Sequence, residues 1–114
     1  MRREEYSCAV DYDLDFDFLS FRREGFKSTG SIVAGQFTLD LCKNELVGLE
    51  IEEASSLFES LFPFKLDLTK IGKSKIGFVE KNNSILLYFT ITYGKCEYQK
   101  ELILPKITPV PVLA

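Results

Sequence analysis

A period of two residues constrains this chain more than any other feature. In "SIVAGQFTLDL" (31–41), Val33, Gly35, Phe37, Leu39 and Leu41 share one parity, and Ala34, Gln36, Thr38 and Asp40 the other. "ELVGLEI" (45–51) repeats the pattern, with Val47, Leu49 and Ile51 inward and Gly48 and Glu50 outward. Successive side chains of a strand point to opposite faces, so this alternation predicts half-buried strands. The polar pair Lys43-Asn44 between them reads as a tight hairpin turn.

Strand signals continue in the second half. "FKLDLTK" (64–70), "KIGFVE" (75–80), "SILLYFTITY" (84–93) and "CEYQKELIL" (96–104) are rich in β-branched and aromatic residues. Turn-forming "IGKS", "KNN" and "GK" separate them. Ile85, Leu87, Phe89 and Ile91 share a face, and Leu86 and Tyr88 opposite are also apolar, which predicts a central strand covered on both sides. One segment has helical period: Ala54, Leu57, Phe58, Leu61 and Phe62 form a single stripe, Glu52 and Glu53 precede it, and Pro63 stops it. That places a helix at about 53–62, packed on the core. No internal repeat is present.

At 114 residues the chain is one domain, read here as 1–106, with a proline-containing tail at 107–114. Three prolines keep "PKITPVPVLA" (105–114) out of a sheet interior and near polyproline II geometry. Its apolar Ile107, Val110, Val112 and Leu113 suggest that 107–113 lies along an apolar groove, on its own domain or on a second copy. No apolar run approaches the roughly 20 residues of a membrane span, and "MRREEYSCAV" has no apolar segment of a secretory signal. The expected location is cytoplasmic. Three well-separated cysteines, Cys8, Cys42 and Cys96, suit buried thiols better than a disulfide framework.

Histidine is absent, which removes Ser-His-Asp and Cys-His catalysis and imidazole metal sites. The net charge of −3 gives no pull toward nucleic acid. Residues 1–57 hold 6 basic and 12 acidic side chains, and residues 58–114 hold 8 and 5. The halves therefore carry opposite charge, which favours attraction within one molecule or between two.

"VDYDLDFDFLSF" (10–21) carries aspartates at 11, 13, 15 and 17. As one strand it would be a ladder of carboxylates about 7 Å apart, too spread to focus on one cation. Beyond Phe18 the alternation slips, because Leu19 and Phe21 occupy the aspartate parity. A hairpin resolves the slip: strand Tyr6–Tyr12, turn Asp13–Phe16, strand Asp17–Arg22. Asp13 then hydrogen-bonds the turn backbone, and Leu19 and Phe21 face in.

"YDLDFDFLSF" (12–21) resembles the opening of domain-of-unknown-function family 2283, a family of small prokaryotic and archaeal β-rich domains. That opening is tyrosine-aspartate, three residues, then aspartate-x-leucine-x-aromatic. "FTLDLCKNELVGLEIEEAS" (37–55) resembles its later strand, turn, valine-glycine-x-glutamate strand and alanine-serine step. Asp13, Asp17, Asp40, Gly48, Glu50, Ala54 and Ser55 occupy matching positions, and the likeness covers 10–56 only. The turn departs from the family: it reads Lys43-Asn44-Glu45, one residue shorter and without the usual glycine. The family has no established activity. Some members sit beside toxin-like proteins, so the resemblance implies a partner-binding role.

Three chemistries are open to these residues. "DLTKIGKS" (67–74) ends like a phosphate-binding loop, but Asp67 stands where the loop needs glycine and a strand follows in place of a helix. Asp11, Asp13, Asp15, Asp17, Asp40 and Glu50 could hold Mg²⁺ or Ca²⁺ if hairpins converged, yet no EF-hand spacing exists and solvated faces explain them. Lys65, Lys70, Lys73 and Lys75 with Phe64, Phe78 and Tyr88 could form a basic-aromatic platform, which the acidic balance argues against. The sequence therefore predicts a β-rich α+β domain of mostly antiparallel strands with one helix. No catalytic, cofactor-binding or metal-ligating residue is assigned. The expected function is a non-catalytic, self-associating interaction module, a homodimer or a complex with a small protein partner. The alternatives are a metal-dependent hydrolase using the acidic cluster, or small-ligand binding in a β-cleft.

Overall fold

A computed structural model describes residues 4–105. The strands are β1 (Tyr6–Asp13), β2 (Phe18–Arg22), β3 (Gly30–Ala34), β4 (Phe37–Cys42), β5 (Glu45–Ile51), β6 (Ser74–Lys81), β7 (Ser84–Tyr93) and β8 (Cys96–Pro105). One helix, α1 (Ala54–Leu61), and a 3-10 turn, Leu68–Lys70, lie between β5 and β6. All eight strands form one curled antiparallel sheet, a half-barrel, in the order β3-β4-β5-β2-β1-β6-β7-β8. Among the described residues no helix is long and apolar enough to cross a membrane.

The strand β1 joins the two halves. Its Tyr6, Ser7 and Cys8 pair with β6, whereas Ala9 to Asp13 pair with β2. No residue of β1 pairs on both sides, and the sheet curls there. The inner face carries the core: Cys8, Leu19, Phe21, Leu39, Leu49, Ile51, Ile76, Leu87 and Phe89 are buried in one cluster. The helix packs into this concavity through Phe58, whose ring stacks 6.0 Å from Phe89 and 5.5 Å from Phe62. Fully burying one such ring contributes roughly 1.5–3 kcal/mol.

The hairpin in 10–21 forms nearly as the phase slip requires. Leu14 to Asp17 are turn, and Leu19 and Phe21 are fully buried. Asp13 belongs to β1, paired with Phe18, so the turn begins one residue later than expected. Its Oδ1 accepts the amides of Asp15 (3.0 Å) and Phe16 (3.3 Å), the turn bonding expected of it. At Lys43-Asn44 both residues have positive φ, 49° and 68°, which is a type I′ turn. An asparagine tolerates that region, so the missing glycine is no obstacle.

Four expectations fail for identifiable reasons. Residues 31–41 are two strands, because Gly35 (φ 59°) and Gln36 form a two-residue hairpin loop. Ala34 then pairs with Phe37, the parity resets, and Val33 faces out at 59% exposure while Ile32 and Ala34 face in. In β5 a bulge opposite Asp40 and Leu41 makes Val47 the extra residue. Leu46 takes the core position, and Val47, though buried, lies outside the core cluster. Residues 64–70 are not a strand. Asp67 Oδ1 accepts the Thr69 amide (3.1 Å) and hydroxyl (2.6 Å), and this local bonding closes a 3-10 turn in competition with a ladder. Finally, β7 is next to the edge strand rather than central.

The two faces of β7 are nevertheless both occupied. Ile85, Leu87, Phe89 and Ile91 are fully buried within the curl. On the outer face Tyr88 is buried and its hydroxyl donates to Glu4 O at 2.5 Å. Gly77, directly across from Tyr88, makes this possible. A Cβ there would stand 2.3 Å from Glu4 O and 2.4 Å from the Tyr88 ring. Pro105 ends the edge strand β8 opposite Ser84, where a proline is tolerated. The tail at 107–114, including its expected docking, lies outside the described residues.

Candidate functional site

Of the acidic set singled out in the sequence, Asp17 enters one constellation and Asp40 and Glu50 another, and a third feature is a long sheet edge that is open among the described residues. The first constellation is built at the helix start. Glu53, the residue before α1, is left-handed (φ 51°) and supplies no capping side chain. Asp17 caps the helix from the β1–β2 loop instead. Its Oδ1 accepts the Ser55 amide (2.9 Å) and the Tyr12 hydroxyl (2.6 Å), its Oδ2 accepts the Ser55 hydroxyl (2.6 Å), and its own carbonyl accepts the Ala54 amide (3.0 Å). Burial works against the Asp17 charge, but the bonds from Ser55 and Tyr12 outweigh it and hold the carboxyl below the usual range. The same bond to Asp17, aided by burial, pushes the Tyr12 hydroxyl up to about 12.

The second constellation lies on the outer face. The register aligns Ser31, Asp40, Gly48 and Arg22 in one row across β3, β4, β5 and β2, with Glu50 in the next row. Gly48 leaves room for the Asp40 carboxylate: a Cβ there would lie 3.1 Å from Asp40 Oδ2. Ser31 donates to Asp40 Oδ1 (2.9 Å), and Arg22 donates to Glu50 Oε1 (3.0 Å) while standing 3.9 Å from Asp40 Oδ2. Asp40 is buried, with a side chain 9% exposed. Burial, followed by the charge of Asp40, raises the Glu50 carboxyl, with Arg22 opposing.

The residues on which the resemblance was drawn fall into these two places and the β1–β2 turn. Tyr12, Asp17, Ala54 and Ser55 meet at the helix start, and Asp40, Gly48 and Glu50 meet on the sheet. Each has a structural task. Asp11 and Asp15 join neither constellation: Asp11 faces out opposite Ser20, and Asp15 stands at the loop tip. Among the described residues no three His, Cys, Asp or Glu side chains are placed to hold a metal ion.

The other candidate residues disperse. Gly72 donates its amide to Thr92 O (2.8 Å) and Ser74 donates its hydroxyl to Gly72 O (2.9 Å), so the Gly-Lys-Ser turn is tied to the sheet. Phe64 packs on Phe62 and Tyr98, Phe78 lies against the inner core, and Tyr88 is buried outside, so these aromatics share no platform with the lysines. Lys70 approaches Asp67 at 4.0 Å. Of the cysteines, only Cys8 is buried; its thiol donates to Ser74 O (3.4 Å), and burial pushes it up to about 12 against the pull of Arg23. Cys42 is half-buried and Cys96 exposed, contrary to expectation, because Cys42 ends a hairpin strand and Cys96 opens the edge strand.

Two further features carry a signal in the sequence. Arg23 continues the inward parity of Leu19 and Phe21, and its guanidinium lies between Tyr6 (3.9 Å) and Phe26 (4.1 Å) while donating to Leu46 O (3.0 Å). Gly77 stands between Ile76 and Phe78 inside a strand, a mark of close backbone approach. A cleft beside the helix start, lined in part by Tyr12, Ser55, Leu68 and Tyr93, encloses about 430 Å³. Its Ser55 is held by Asp17, and its Tyr93 hydroxyl accepts the Asp67 amide (3.1 Å).

The remaining feature is β8. It pairs with β7 over ten residues and forms one edge of the sheet, whereas the other edge strand, β3, has five residues. On the outer face, Val79, Leu86 and Ile103 lie directly across from one another on β6, β7 and β8, and Ile103 is 75% exposed. No family model, no curated protein and no solved structure matches the chain.

Proposed function

We propose that the protein is a non-catalytic interaction module that self-associates through the edge strand β8. The observation that carries this reading is the ten-residue open edge ending in an apolar row, Val79–Leu86–Ile103. An exposed edge is a template for pairing with another strand. A two-fold antiparallel pairing sets same-face residues against each other. Registers centred on Lys100 or Glu101 oppose like charges. Centred on Leu102 or Ile103, they set Leu102 or Ile103 against its own copy and keep Lys100 and Glu101 from theirs. The likeness to family 2283 over 10–56 implies a partner-binding role and so supports the same class of reading.

The test is solution mass by light scattering across a concentration series. The wild type should weigh as a dimer, and Ile103→Lys, at an exposed position, should return it to a monomer with its melting temperature unchanged. A wild type that stays monomeric at all concentrations, or an unaltered mass in the variant, overturns the reading. The hydrolase alternative loses ground because Asp13 and Asp17 are committed to backbone and hydroxyl donors of the chain itself.

A further inference from the structure

We propose that Asp40 and Glu50 hold one proton between them, carried on Glu50 and donated to Asp40 Oδ2, so that this outer-face cluster is a pH-sensitive element of the fold. Asp40 Oδ2 is buried, and among the described residues no donor reaches it within hydrogen-bonding distance. Arg22 at 3.9 Å is too far to donate. A buried, unsatisfied carboxylate oxygen costs several times what an exposed one does, and natural folds rarely leave one. The space beside Gly48 that admits the carboxylate is bounded by the Phe21 carbonyl, which accepts and does not donate.

The groups facing the pair are few. Arg22 reaches it from β2, Ser31 from β3, Asp40 itself from β4 and Glu50 from β5; Asp11 on β1 stands further along the Glu50 row, beyond Ser20. Two carboxylates therefore face one guanidinium. Arg22 already donates to Glu50 Oε1, and Ser31 already satisfies Asp40 Oδ1. The group still missing is a donor for Oδ2, and protonated Glu50 supplies it. Glu50 is raised by burial first and by the Asp40 charge second, which is the direction a shared proton requires. Like charges at one site cannot both ionise freely. Gly48 lets one carboxylate lie against the sheet, and the protonated Glu50 donates a hydrogen bond to it.

The sign follows. A carboxyl raised in the folded state adds stability below its unfolded value and loses it as pH rises through the folded value. Carbon-13 NMR of the side-chain carboxyls of the full chain, from pH 3 to pH 9, reads the pair directly. Glu50 should titrate above the ordinary glutamate range. Asp40→Asn should return Glu50 towards its ordinary value. Glu50→Gln keeps a donor at every pH, so its melting temperature should exceed that of the wild type above the Glu50 midpoint and converge with it below. A Glu50 midpoint in the ordinary range overturns the proposal even if the variants fail to fold. A rise in wild-type melting temperature with Mg²⁺ or Ca²⁺ that Asp40→Asn abolishes also overturns it, by assigning the position to a metal.

Discussion

Replacing Asp17 tests the account of the helix start. In Asp17→Ala, the Ser55 amide, the Ser55 hydroxyl and the Tyr12 hydroxyl lose their acceptor. A hydrogen bond to a charged group contributes about 1.5–3 kcal/mol when buried, but the two bonds to Ser55 are exposed and water replaces much of their value. Loss of a helix cap costs about 1 kcal/mol, the partly buried Tyr12 bond adds about 1, and alanine at a φ of 52° adds about 1 more. The expected total is about 3 kcal/mol, a large share of the roughly 5–15 kcal/mol that holds a domain together. Asp17→Asn keeps an acceptor and tolerates the left-handed backbone, so it should cost about 1 kcal/mol. Urea unfolding at pH 7 measures both. The Asp17 carboxyl is lowered in the folded state, so its contribution exists above the ordinary aspartate value and fades as pH falls through the folded one. The gap between wild type and Asp17→Asn should therefore close in acid. A cost below about 0.5 kcal/mol for Asp17→Ala, the size of an ordinary surface change, would refute the capping role.

Three further outcomes are expected. Gly77→Ala forces a methyl group into Glu4 O and the Tyr88 ring, and should destabilise by about 1–3 kcal/mol, with faster amide exchange around Tyr88; an unchanged urea midpoint would contradict the close approach. Thiol titration of the native protein at pH 8 should react Cys96 rapidly and leave Cys8 protected until denaturant is added, because burial keeps Cys8 protonated there; three rapid equivalents would contradict this. Truncation after Lys106 should lower the solution mass or the melting temperature if 107–113 docks on an apolar surface, and leaving both unchanged would mean that the tail holds nothing together.

Strand content, the helix and most hairpins were legible because they rest on local periodicity and turn chemistry. The phase slip at Leu19 and Phe21 located the β1–β2 turn to within one residue. What misled was periodicity that survives a turn. A two-residue loop between Ala34 and Phe37 leaves alternation looking unbroken, and Gly35 was the one sign of reversal. The stretch 64–70 looked like a strand because its side chains alternate, yet a single aspartate bonded to Thr69 decided otherwise. The two acidic constellations were not legible as such. Asp17 meets Ser55 across 38 positions, and Asp40 meets Glu50 only through the hairpin register. Pairings of that kind depend on tertiary placement, which local pattern does not encode.

The divided pairing of β1 has a kinetic consequence. The strands β6 to β8 pair with sequence neighbours, and so do β3 to β5, so each meander closes short loops. Cys8 meets Ser74 across 66 positions, through only three residue pairs. Loop-closure entropy makes such a contact late, because few interactions reward a long search. Substitutions at Cys8 or Ser74 are thus expected to speed unfolding and leave the folding rate almost unchanged, whereas substitutions along β7 are expected to slow folding. The join between the two halves is thus expected to form late and to open early.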